Sequence, residues 1–203
     1  MKLYYAPGTC AVACWIALKW ADADFDVVKA DYASEEFRRV NPLAMVPALD
    51  IGGSRAMTQA DAILTYIAER HPAARLGPDD DSHGRFEFSE TMSFLTGDFH
   101  PAFWPFFTPQ RFTTDKTKQA LDNVRGASHD RIDRVMLHLE RLLGEGEHVY
   151  RGRRTIADAY AYIMARWSAK LPKTWEAYPN IARFFGRMNA DPVVQDVLRL
   201  SVA

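Results

Sequence analysis

The chain opens with a short apolar run, Lys2-Leu3-Tyr4-Tyr5-Ala6, stopped by Pro7-Gly8-Thr9. A run of this length bounded by turn residues predicts a strand. From Cys10 to Ala21 the pattern changes to helical spacing, with Val12, Ile16 and Trp20 near one face and Trp15 and Leu18 beside it. Phe25 to Lys29 predicts a second strand, which makes a βαβ unit. Ser34 to Phe37 predicts a short helical turn that Asn41-Pro42 closes. Pro47 to Ile51 and Arg55 to Thr58 flank Gly52-Gly53, a hairpin signal. Asp61 to Arg70 is helical, with Ile63, Tyr66 and Ile67 on one face, and His71-Pro72 ends it.

The pattern then shifts. Residues 73–83 are polar and rich in Asp, Pro and Gly, which predicts a linker between a first domain over 1–72 and a second over 84–203. After it, Arg85 to Phe99, Lys116 to Leu143, Thr155 to Lys170 and Asn180 to Asn189 all carry apolar residues at helical spacing. A mixed α/β half followed by a helix-only half predicts two packed units.

Composition narrows the function. The 203 residues are 48% hydrophobic, enough for a sizeable core. Lys plus Arg number 25 and Asp plus Glu 26, so the chain lacks the basic footprint that nucleic-acid binding requires. Pro7 and Gly8 come too early for a signal peptide, and Phe99 to Phe107 is too short and too interrupted to span a membrane. The only cysteines, Cys10 and Cys14, are too close together for a secreted disulfide framework, so a reduced, cytoplasmic setting is expected.

Candidate chemistry gathers at few positions. Cys10 stands where a turn meets a helix, and the free N–H groups and dipole there favour a thiolate. A buried, inert cysteine is the competing reading. Cys14, one turn deeper, reads as a packed helix cysteine. Gln59-Ala60 precedes a helix, a natural anion site, and Asp61 reads equally as that helix's N-cap. Thr155-x-x-Asp158 reads as a capping box, a folding device. Phe99, Phe103, Trp104, Phe106 and Phe107 surround His100 and divide between core, pocket wall and subunit interface in a way that the sequence leaves open.

In order and over nearly the whole length, these segments resemble the cytosolic glutathione transferases, the bacterial beta class most closely. The resemblance rests on LYYAPGTC with Cys10, on Asn41-Pro42, on Met45-Val46-Pro47-Ala48-Leu49, on Thr58-Gln59-Ala60-Asp61-Ala62-Ile63, on Phe94 to His100, on Thr155-Ile156-Ala157-Asp158, and on Asn180 to Leu198. It implies a thioredoxin-like βαβ-ββα domain followed by a C-terminal helical-bundle domain. It also implies a glutathione transferase, with glutathione as co-substrate and no metal, that conjugates apolar electrophiles and forms a homodimer. Cys10 and His100 are the implied catalytic residues. Cys10, Val46, a cis Pro47, Gln59 and Ala60 are the implied glutathione contacts. Ala60 stands where many relatives have serine, Ser93 where they often have asparagine, and Pro101 where beta-class chains often have lysine. Thiol–disulfide exchange through Cys10, or glutathione binding without catalysis, are the alternatives.

Overall fold

The computed structural model describes residues 1–202. The first part is a four-stranded sheet in the order β2-β1-β3-β4. Strand β1 (Lys2–Tyr5) pairs in parallel with β2 (Asp26–Lys29) and antiparallel with β3 (Ala48–Asp50). The hairpin partner β4 (Met57–Thr58) completes the sheet. Helix α1 (Ala11–Trp20) supplies the crossover between the parallel strands. Helix α2 (Glu35–Val40) starts where the Ser34 side chain accepts the Phe37 N–H, so the predicted short turn is a capped helix. Helix α3 (Ala60–Arg70) follows β4.

The second part is all helical. Helix α4 (Ser82–Phe94) runs into a π-helical turn over Leu95–Phe99, then the short helices α5 (His100–Ala102) and α6 (Trp104–Phe107). A single helix over 85–99 is what the pattern predicts. Pro101 has no N–H to give the preceding turn, and its ring crowds the carbonyl four residues back, so the chain loosens and restarts there. The long α7 (Lys118–Leu143), α8 (Ile156–Ala165), α9 (Pro179–Ala190) and α10 (Pro192–Ser201) complete the fold. This is a thioredoxin-like unit followed by a helical bundle.

Helix α1 departs from its predicted single apolar face. Nine of its ten residues are buried, and Lys19 is the exception. The cause is tertiary: α1 touches β1 and α3 of its own unit, and α8 and α10 of the helical unit. A helix apolar on all sides belongs at a centre. Its N-terminus, which carries Cys10, is thereby held between the two units.

The polar connection before α4 is tied down rather than loose. Arg153 donates to the Arg75 and Gly77 carbonyls at 2.7 and 2.6 Å and pairs with Asp79. Arg151 pairs with Asp79, Asp81 and Glu87. At Gly84 an added Cβ would sit 2.8 Å from both the Asp81 carboxylate and the Tyr150 hydroxyl, so a side chain here would have to displace those groups. Among the described residues no helix is long and apolar enough to cross a membrane.

Candidate active site

The Pro7-Gly8-Thr9 turn delivers Cys10 to α1. Gly8 adopts a φ of +69°, a conformation that glycine alone takes without strain. The Thr9 hydroxyl and N–H both donate to the Ala6 carbonyl, which closes the turn. Cys10 is the N-cap residue of α1, and its Sγ lies 3.8 Å from the Val46 carbonyl oxygen, which accepts the thiol hydrogen.

Val46 is held there by Asn41. This buried side chain donates to the Met45 carbonyl at 2.7 Å and accepts the Leu43 N–H at 3.1 Å, fixing the loop from both directions. The Val46-Pro47 peptide is cis. Cys10 and Val46, 36 residues apart, thus meet.

The third element is the start of α3. Gln59 is its N-cap residue, with φ +71° and ψ +120°. A non-glycine residue at positive φ costs about 1–3 kcal/mol, and such strain gathers at functional sites. The exposed Gln59 side chain makes no cap bond, so the first-turn N–H groups lack the usual side-chain acceptor. Asp61 does not cap the helix as the sequence allowed. It lies inside the first turn, half-buried, and desolvation raises its pKa. Ala60 is buried, and its carbonyl accepts the Cys14 thiol at 3.9 Å. Cys14 is fully buried, and the packing role read from its position is what the structure gives it.

The electrostatics of Cys10 run against expectation. The N–H groups of Cys10 and Ala11 do lower its pKa, as the helix start implies, but burial outweighs them and pushes it up to about 12. Only 8% of the residue is exposed. The helix-dipole argument omits this desolvation cost because side-chain depth is invisible in sequence.

His100 approaches from the helical unit. Its Nδ1 lies 2.6 Å from the Tyr160 hydroxyl of α8, and its ring packs 4.9 Å from Trp167 and 5.8 Å from Trp104. Burial lowers its pKa to about 4, so the imidazole is neutral at physiological pH. The Tyr160 phenol stays protonated, its pKa raised by burial and then by the Cys10, Cys14 and Asp61 charges it would face. Tyr160 lies on α8, which packs against α1. Trp167 closes the arrangement by donating Nε1–H to the Gly8 carbonyl at 2.7 Å. Of the aromatics around His100, Phe99 and Phe103 are core, Phe106 and Phe107 are half-buried, and Trp104 is 48% exposed.

Sequence reasoning missed Tyr160, Trp167 and Tyr32. Tyr160 lies in the apolar run over 159–165, which reads as core, and Trp167 follows it between Arg166 and Ser168. Tyr32, largely exposed in the loop after β2, has its pKa raised by partial burial and by the nearby Cys10 charge.

His100 has a consequence for acid stability. Its folded pKa, about 4, lies below the value near 6.5 of the unfolded chain. Above about pH 6.5 both states are neutral and the contribution is fully present. Between pH 6.5 and 4 the unfolded chain takes up a proton that the folded chain refuses, and stability falls by about 2–3 kcal/mol. Unfolding free energies from urea titrations between pH 7 and 4 should fall by that much more in the parent than in His100→Gln. Parallel pH profiles would remove the argument.

Comparison with known proteins fits this geometry. A family model described as glutathione S-transferase, N-terminal domain, matches residues 3–76, and one described as the C-terminal domain matches 97–199. The chain belongs to the cytosolic glutathione transferase family. A glutathione S-transferase, GST-4.5, of Xanthomonas campestris pv. campestris is 33% identical over 98% of each chain. A bacterial beta-class glutathione S-transferase structure from Sphingomonas chungbukensis is 34% identical with a TM-score of 0.86, covering 99% of this chain and 98% of that one. A sphingomonad glutathione S-transferase solved in complex with glutathione is 32% identical with a TM-score of 0.86, covering 100% and 99%. Among the described residues of this family member, no cluster of three His, Cys, Asp or Glu side chains is placed to hold a metal.

Proposed function

We propose that the protein binds glutathione along Cys10, Val46, Pro47, Gln59 and Ala60 and conjugates it to apolar electrophiles. The observation that carries this reading is the meeting of the Cys10 thiol with the Val46 carbonyl, beside the strained Gln59 at the start of α3. The Val46 backbone suits an extended cysteinyl unit, as an added strand would. The Gln59 amide and the Ala60 N–H suit a γ-glutamyl α-carboxylate. The glutathione-bound sphingomonad relative supports the same ligand here.

In this reading the glutathione sulfur attacks the electrophilic carbon, a C–S bond forms, and the leaving group departs with the bonding electrons. The thiol proton passes to solvent. Cys10 acts as a protonated S–H donor that turns from the Val46 carbonyl to the incoming sulfur anion, since its own pKa is too high for it to be the nucleophile at neutral pH. Neutral His100, held by Tyr160, supplies a hydrogen-bonding group from the helical unit. The raised Cys10 pKa weighs against disulfide exchange, which needs a thiolate.

Retention on immobilised glutathione, followed by conjugation of an aryl halide, tests the reading. Retention and turnover are both expected. Cys10→Ser should keep much of the turnover because it keeps a donor, whereas Cys10→Ala should lose at least tenfold in kcat. Retention without turnover would favour the non-catalytic alternative, and no retention would end the glutathione assignment.

A further inference from the structure

A groove of about 520 Å³ opens beside the Pro7-Gly8-Thr9 turn and against Trp167. Phe107, Ile163, Trp167 and Leu198 give it apolar walls. Arg166 and Lys170 also line it, and no aspartate or glutamate does. In a chain whose acids and bases balance, two cations without a facing carboxylate are a local feature.

Both cations are held in place by uncharged groups. The Arg166 guanidinium donates to the Tyr162 hydroxyl at 3.1 Å, and Tyr162 is itself bonded to Asn189. The Lys170 ammonium rests 5.3 Å from the centre of the Phe107 ring. Among the described residues neither takes part in an ion pair. An apolar slot with an oriented guanidinium and an ammonium at its edge fits a flat apolar body that ends in an anion.

We infer that the electrophile taken by this protein is an aromatic or apolar molecule carrying a carboxylate, with its body against Phe107 and Trp167 and its anion on Arg166 and Lys170. This rests on the conjugation reading above and names the substrate class of that site. The Trp167 indole, fixed to the Gly8 carbonyl, joins the groove to the turn that presents Cys10. A molecule seated in the groove therefore lies against the turn that precedes Cys10.

Calorimetric titration with 1-naphthoate and its neutral isostere 1-naphthamide, without glutathione, tests the anion site directly. The parent should bind naphthoate roughly tenfold more tightly. Raising salt from 50 to 500 mM should shrink the difference. Lys170→Gln should reduce it, and Arg166→Gln with Lys170→Gln should abolish it. Lys170→Gln alone keeps the test open if loss of the Arg166–Tyr162 bond unfolds the double variant. Glutathione titrated in parallel separates the two readings. Naphthoate preference without glutathione binding would support the anion site and overturn conjugation. Glutathione binding with no naphthoate preference would overturn the inference alone. Weaker glutathione binding in the lysine variant, again with no naphthoate preference, would assign the cations to a carboxylate of glutathione and overturn it too.

Discussion

Asp158→Ala is expected to cost the fold about 3–5 kcal/mol, the largest stability loss of any single substitution considered. The carboxylate is completely buried. One oxygen accepts the Val149 N–H at 2.8 Å, and the other accepts the Thr155 N–H at 2.7 Å. His148 Nδ1 lies 3.4 Å from the second oxygen, without hydrogen-bond alignment. Alanine would strand two buried backbone donors, each costing about 1–3 kcal/mol, and one of them is the Thr155 N–H at the start of α8. The effect reaches the site because α8 carries Tyr160, which holds His100. Asp158→Asn keeps one acceptor oxygen and should lose less than half as much. Urea unfolding of the three proteins at pH 7 checks this order. A loss under 1 kcal/mol for Asp158→Ala would show that water replaces the carboxylate, and the burial argument would fall.

That capping box was legible in the sequence because it is local: four consecutive positions carry all of its chemistry. The Gly52-Gly53 hairpin was legible for the same reason, as was the order of strands and helices in the first unit. What the sequence withheld depends on distant partners. Helix α1 reads as apolar along Val12, Ile16 and Trp20 with Trp15 and Leu18 beside them, and the contacts with β1, α3, α8 and α10 explain why Ala11, Ala13 and Ala17 are buried as well. The connection before α4 reads as a polar linker, while the arginines that clamp it lie about 70 residues further on. Tyr160 sits in an apolar run where a tyrosine reads as core, and its hydroxyl gains meaning only when His100 arrives 60 positions away in sequence. The turn and helix start point to Cys10 as a thiolate candidate, but burial moves its pKa the other way. Propensity and dipole are local quantities, whereas desolvation belongs to the whole packed site.

Cys10 is therefore expected to be slow towards alkylating reagents, and this reverses what the helix start alone implies. With its pKa near 12, the thiolate fraction at pH 7 is on the order of a thousandfold below that of a free cysteine near 8.5. Iodoacetamide should modify the native protein correspondingly slowly. The rate should rise about tenfold per pH unit from 7 to 10 without levelling, because the thiol stays mostly protonated throughout that range. Cys14 should be slower still: burial raises its pKa well above the ordinary value, a Cys10 charge would raise it further, and no surface of the residue is exposed. Urea-unfolded protein should label at both positions at ordinary cysteine rates, which shows that depth and not chemistry protects them. Mass analysis resolving Cys10 from Cys14 by fragmentation reads each rate separately. A Cys10 rate that levels off below pH 8 would mean that the N–H groups of Cys10 and Ala11 dominate after all. The protein would then hold a standing thiolate at residue 10, and disulfide exchange with glutathione would displace S–H donation as the role of that sulfur.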